Sequence, residues 1–186
     1  EHRLRLLNYQ HNSISVIQRL ESVRSLVFLD LYSNRIDTVS GLECVPGLRV
    51  LMLGRNRIKR IEGLSHLDRL DVLDLHNNEI SSTSGLGGLK ALRILNLAGN
   101  ALTSVGDLSG MRSLAELNLR RNHIADLAHH HAAAAVVVIP GGDDDDDDNR
   151  EKEEEEEERN PFPPGLQRCF ISHNKIESPA GLAPLA

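Results

Sequence analysis

The amino-acid sequence predicts an α/β repeat solenoid, with a curved parallel sheet on a concave face and short 3₁₀ or irregular returns on a convex face. Three observations predict this fold class. An asparagine recurs every 22 residues, at Asn12, Asn34, Asn56, Asn78, Asn100 and Asn122. A leucine lies eight residues before each one, from Leu4 to Leu114. A Gly-Leu pair recurs in the second half of most copies, at 41–42, 63–64, 85–86 and 181–182.

The first half of each copy contains the strand. In LDVLDLHNNEI, residues 70–80, the central Leu-x-Leu suits a short strand, and Leu70, Leu73, Leu75 and Ile80 are expected to point into the coil. One copy is too small to bury these side chains, so stacked copies must share one core. We expect Asn78 to satisfy buried backbone groups where the chain leaves the strand, a structural role.

The second half of each copy is the return segment. A repeat of 22 residues leaves little room for a long helix after the strand and its turn, so 3₁₀ or irregular turns are predicted. Copy five departs from the pattern because Asp107-Leu108 replaces Gly-Leu.

The repeats define three regions of the chain. Residues 1–128 hold copies one to six, and residues 166–186 hold a seventh, LQRCFISHNKI, with Cys169 and Ile171 at leucine positions. Both ends lack the polar capping repeats that solenoids need, so we expect the chain to be part of a larger one.

Between them, residues 129–165 form a low-complexity acidic insertion. Thirteen acidic and three basic residues between Asp143 and Arg159 give that stretch a charge of −10, which leaves +4 for the rest of a chain of net charge −6. Like charges repel, so a disordered loop is predicted, with Phe162 filling the lost return turn. Three alternatives stay open: metal binding by His129–His131, convex packing of Ala132–Ile139, and weak binding of basic partners or calcium by the acidic run.

Function is expected on the concave face, where strand residues between the leucines project outward. An apolar ridge crosses the early copies, and exposed apolar surface often marks an interface. Arginines make the later copies basic, which favours an acidic peptide as a partner. The candidate partner-binding residues are Phe28, Asp30, Tyr32, Val50, Met52, Arg55, Val72, Asp74, His76, Arg120, Arg121, Arg168 and Phe170.

Enzyme chemistry has little support in the sequence. It contains no phosphate-binding glycine loop, nucleophile elbow or metal-ligand spacing, and His76 beside Asp74 lacks a neighbouring nucleophile. We therefore expect no catalysis, cofactor or metal site. We also expect no membrane segment and no direct nucleic-acid contact, because aromatic and basic residues are not interleaved. Two cysteines without a disulfide pattern favour a reducing compartment.

The repeat L-x-x-L-x-L-x-x-N-x-L is identified as the leucine-rich repeat. Its period of 22 and Gly-Leu returns resemble the class that includes the nuclear regulatory subunit of protein phosphatase 1, an axonemal dynein light chain and a spliceosomal U2 protein. The strings RLLNYQHNSI, LVFLDLYSNRI, LRVLMLGRNRIKRI, LDVLDLHNNEI and LAELNLRRNHI look most like the leucine-rich repeat subunit of the tubulin polyglutamylase complex.

This resemblance implies a non-catalytic scaffold that helps place a glutamate-adding ligase on microtubules. Its implied partners are other protein subunits and tubulin. Its implied location is the cytoplasmic cytoskeleton, including cilia, flagella and basal bodies. A phosphatase 1 regulatory subunit and an axonemal dynein-associated light chain are the alternatives. The acidic insertion departs from the pattern of the family.

Overall fold

A computed structural model describes residues 3–125 and 162–177 of the chain. Seven strands of three residues each form one sheet in sequence order, and every neighbouring pair is parallel. The strands are β1 (Leu6–Asn8), β2 (Phe28–Asp30), β3 (Val50–Met52), β4 (Val72–Asp74), β5 (Ile94–Asn96), β6 (Glu116–Asn118) and β7 (Arg168–Phe170).

The strands pair in strict repeat register. Leu51 lies opposite Leu29 on one side and Leu73 on the other, and the same row continues through Leu95 and Leu117. A side-chain period of two places this row on one face and the residues that flank it on the other. The predicted curved sheet of stacked copies is therefore confirmed.

The leucines form one continuous core. Leu70, Leu73, Leu75 and Ile80 are each 0% exposed, as the sequence predicted. The strands begin one residue before the predicted Leu-x-Leu, so the second leucine of each pair follows the strand and is buried by the turn.

The asparagines form the predicted ladder. The amide of Asn78 donates to the carbonyls of Leu53 in the preceding repeat and Leu75 in its own, both at 3.0 Å. Its Oδ1 accepts the Ile58 N–H, also at 3.0 Å. Each asparagine after Asn12 thus joins its repeat to the preceding one by satisfying backbone groups that the sheet leaves unpaired.

The convex returns are turns. Among the described residues there is no helix, so the irregular form of the two predicted alternatives is the one adopted. Each of the first five returns makes two successive, non-overlapping i to i+3 bonds, such as Val45 N–H to Leu42 O at 3.0 Å and Leu48 N–H to Val45 O at 3.1 Å. Turns this tight let the repeats stack closely on the convex side.

The seventh strand rejoins the sheet after the insertion. The Leu166 N–H donates to Pro163 O at 3.1 Å, the bond that Leu26 makes with Val23 in the second copy. Phe162 is 3% exposed and belongs to the core, as predicted. The predicted disordered loop, His129–His131 and Ala132–Ile139 lie almost wholly outside the described residues, so those expectations remain predictions.

Candidate functional site

The concave face carries a half-exposed apolar ridge. Phe28, Val50, Val72 and Ile94 occupy equivalent register positions on β2 to β5, and all four side chains are partly exposed. Met52 lies two residues after Val50 on the same face and is also partly exposed. The predicted apolar part of the candidate site therefore forms one contiguous strip across neighbouring strands.

The predicted acidic residues of the face have a local structural role. Asp30 Oδ1 accepts the Tyr32 backbone N–H at 2.9 Å, and Asp74 Oδ1 accepts the His76 N–H at 3.0 Å. Asn8, Asn96 and Asn118 make the same bond two residues ahead. These Asx turns bend the chain off the strand, a structural role that was not predicted for Asp30 and Asp74.

Tyr32 and His76 form an aromatic cluster at the carboxyl end of the strands. Their rings stack with centroids 5.6 Å apart across Gly54, and His11 meets Tyr32 edge-on at 5.2 Å. The Asp74 carboxylate lies 2.7 Å from His76 Nδ1 and fixes the orientation of the imidazole. The cluster joins residues from repeats one, two and four.

The His76–Asp74 pair has the geometry of a general base held by a carboxylate. Within the described residues, no hydroxyl or thiol hydrogen-bonds to His76. The bond to Asp74 orients the imidazole on the concave face.

The predicted arginines fall into two groups. The guanidinium carbon of Arg55 lies 5.8 Å from the Tyr32 ring centroid, and that of Arg120 lies 4.5 Å from the Phe170 centroid. Arg121 is exposed beside Arg120. Arg168 differs because it forms an ion pair with Glu116 on the neighbouring strand. Its charge is partly neutralised, so Arg55, Arg120 and Arg121 carry most of the basic character.

Three further basic residues border the face. Arg35, Arg57 and Lys175 each follow a ladder asparagine directly and are exposed. The sequence signal is a basic residue on either side of the ladder asparagine, most clearly in RNR at 55–57. Arg35, Arg57 and Lys175 were not predicted because the candidate positions ended at the residue before each asparagine.

The described part of the chain offers little support for metal or thiol chemistry. No group of three or more His, Cys, Asp or Glu side chains there could hold a metal ion. Cys44 and Cys169 are free, and burial raises the pKa of the Cys169 thiol to about 11. In residues 3–125 and 162–177 no helix has the length and apolarity to span a membrane.

Comparison with known proteins identifies the repeat. A family model of two leucine-rich repeat copies matches residues 46–88, and a second leucine-rich repeat model matches residues 81–124. No curated protein matches the chain.

Solved structures share the fold. The functional domain of InlJ from Listeria monocytogenes, which includes a cysteine ladder, is 25% identical over 67% of the chain, with a TM-score of 0.58. Two internalins of the same bacterium, inlF and inlC2, are 21% and 20% identical over 97% of the chain, with TM-scores of 0.58 and 0.57. The chain spans 27% of the InlJ chain, 51% of inlF and 76% of inlC2.

Proposed function

From the premise that the chain is a leucine-rich repeat protein, we propose that it is a non-catalytic scaffold that binds other protein subunits through its concave face. The observation that carries this proposal is the strip of Phe28, Val50, Val72 and Ile94, which leaves partly exposed apolar side chains on four adjacent strands. Burying such a strip against a partner contributes about 25 cal/mol for each Å² of apolar surface removed from water.

We further propose that the scaffold belongs to a tubulin polyglutamylase-type complex in the microtubule cytoskeleton, including cilia and basal bodies. The motif resemblance of residues 3 to about 127 supports this assignment. The exposed Arg120 and Arg121 add support, because guanidinium groups suit carboxylate-rich partners such as tubulin tails.

Affinity capture tests this function. The chain is immobilised and incubated with a ciliated-cell extract, and the bound proteins are identified by mass spectrometry. We expect ligase-complex subunits or tubulin to be recovered, and Val50→Asp to abolish recovery by placing a charge in the ridge. Ser113→Asp, which adds the same charge at an exposed residue of a convex return, serves as the control. Recovery of neither class of protein by the wild type would refute the polyglutamylase assignment.

A second candidate is a regulatory subunit of protein phosphatase 1, or an axonemal dynein-associated light chain. The partly exposed Phe28 and Tyr32 on and after β2 offer the anchor type that dominates many interfaces. Mixing with the phosphatase catalytic subunit is expected to change its activity, and Phe28→Ala or Tyr32→Ala to remove the change. Unchanged activity, together with separate elution on gel filtration, would eliminate the phosphatase alternative.

A further inference from the structure

Six exposed basic side chains line the edge of the sheet where the strands end. We define this basic rim as the residues next to the ladder asparagines and the strand ends, namely Arg35, Arg55, Arg57, Arg120, Arg121 and Lys175. Equivalent backbone bonds hold three of them in the same place in their repeats, for example Arg35 N–H to Ile14 O and Arg57 N–H to Ile36 O, at 2.9 and 2.8 Å. The rim is therefore a product of the repeat geometry.

The charge of the basic rim is not neutralised within the described chain. Its six members form no ion pair with another described residue. Two acidic residues are paired with other cations, Glu79 with Lys59 at 3.8 Å and Glu116 with Arg168. An anionic partner would therefore meet rim cations that have no ion pair with another described residue.

Two guanidinium groups of the rim are already held in place. Arg55 lies over Tyr32 and Arg120 lies over Phe170. A guanidinium beside an aromatic ring can still bind a carboxylate through its N–H groups with two parallel hydrogen bonds. Part of the side-chain ordering that binding requires is thus complete before the partner arrives.

The spacing of these arginines defines the ligand. Arg55 belongs to the third repeat and Arg120 to the sixth, so their backbones are separated by three strand spacings, or roughly 14 Å. An extended peptide covers that distance in about four residues. We propose that the basic rim binds an extended acidic peptide segment whose carboxylates reach Arg55 and the Arg120–Arg121 pair. This inference rests on the proposed scaffold function and names the class of partner segment.

A peptide accounts for the geometry better than a nucleic acid does. Single-stranded nucleic acids are held by bases stacked on aromatic rings with a free face. Tyr32 is already in contact with His76, His11 and Arg55, and Phe170 with Arg120. Each ring beside the rim therefore already contacts at least one side chain, whereas neither guanidinium makes a hydrogen bond or ion pair with another described residue.

Fluorescence anisotropy with a labelled oligoglutamate peptide tests the proposal. We expect binding at low ionic strength that weakens as salt is added. Arg55→Gln combined with Arg120→Gln should reduce the affinity roughly tenfold, since each exposed charge contact contributes up to about 1 kcal/mol. Arg69→Gln combined with Arg112→Gln removes the same charge from exposed convex positions and should change the affinity by less than about twofold. Circular dichroism verifies that each variant is folded.

Other outcomes would overturn the proposal. These are absence of binding by wild type, unchanged affinity in the rim variant, and equal binding of oligouridine that is lost in the same variant. Replacing both arginines by lysine should also weaken binding, and full affinity in that variant would show that bulk charge alone attracts the peptide. If oligoglutamate fails but Val50→Asp still abolishes capture of protein subunits, the scaffold function stands and only the basic-rim inference falls.

Discussion

Tyr32 and His76 stack at a centroid distance of 5.6 Å although a whole strand lies between their repeats. The residue at the equivalent position of the intervening repeat is Gly54. A Cβ there would lie 2.5 Å from His76 Nδ1 and 3.2 Å from Tyr32 Cδ2. The absence of a side chain at Gly54 therefore permits the aromatic cluster to form across three repeats.

Gly54→Ala is expected to separate the two rings with little change in stability. Loss of the aromatic contact should lower the free energy of unfolding by about 0.5–1.5 kcal/mol. The alanine should raise it by about 0.4–1 kcal/mol, because it reduces the conformational entropy of the unfolded chain. The NMR ring-current shift of the His76 Hε1 proton should disappear. Gly87→Ala, where a Cβ meets nothing within 4 Å, should leave that shift intact. A retained shift in Gly54→Ala would contradict this account of the cluster.

Gly63→Ala is expected to destabilise the protein far more. Gly63 has a φ of +68°, and its Cβ would lie 2.3 Å from the backbone carbonyl oxygen of Val39, which cannot rotate away. Arg19 has a φ of +62° at the equivalent position of the first copy, so the clash with the preceding repeat is the larger cost. We expect a loss of about 3 kcal/mol or more in urea unfolding.

Gly110→Ala is the matched control, because a Cβ there meets nothing within 4 Å. Its free energy of unfolding should remain within about 1 kcal/mol of wild type. Similar losses in the two variants would show that neither the Val39 carbonyl nor the positive φ is the reason for the glycine at position 63.

Asn78→Ala is expected to cost about 2 kcal/mol or more. It orphans the buried Ile58 N–H, at about 1–3 kcal/mol, and removes one of the two amide bonds that each of the Leu53 and Leu75 carbonyls accepts, the other coming from Asn56 and Asn100 respectively. Asn12→Ala should cost less than about 1 kcal/mol, because Asn12 is exposed and bonds only carbonyls of its own turn. Equal losses at the two positions, measured by chemical denaturation, would refute the ladder as a link between repeats.

Most of the fold could be predicted from the sequence because the repeat fixes it. The spacing of the leucines and asparagines determined the number of described strands, their parallel order and the buried side of each. The strand ends shifted by one residue because backbone bonding in a three-residue strand depends on the neighbouring copy. The sequence left turns and 3₁₀ helix open, because a return too short for an α-helix can adopt either.

Much less of the candidate site could be predicted. The strand period placed Val50 and Arg120 on the concave face, but it does not predict which side chains of different repeats contact each other. The ion pair of Arg168 with Glu116 and the stacking of Arg120 on Phe170 depend on side-chain conformations across strands that are 50 residues or more apart in sequence. Asp30 and Asp74 were considered for binding alone, although the Asx-turn spacing also predicts their role at the strand ends.

Phe162→Ala is expected to loosen the seventh strand. The ring is 3% exposed where the sixth return would close, and truncating a buried Phe costs about 3–5 kcal/mol. In a solenoid each repeat contacts only its neighbours, so this loss of stability should affect mainly the adjacent repeats. The Leu119 N–H, which donates to Phe170 O at 2.7 Å, should exchange faster with deuterium, while the Leu53 N–H, bonded to Asp74 O, should not. Equal acceleration of both amides would show that the stack unfolds as one unit.

Cys169 should react slowly and make stability depend on alkaline pH. Burial raises its pKa from 9.0 to about 11 in the folded chain, so its reactive thiolate is scarce at pH 8. In a Cys44→Ser background, alkylation at that pH should be roughly a hundredfold slower than in urea-unfolded protein. Because the unfolded thiol ionises first, its contribution to stability is complete below pH 9 and is lost as the pH rises from 9.0 to about 11. Cys169→Ser should flatten that part of the stability–pH curve, and equal alkylation rates in the folded and unfolded chains would show that the thiol is open to water.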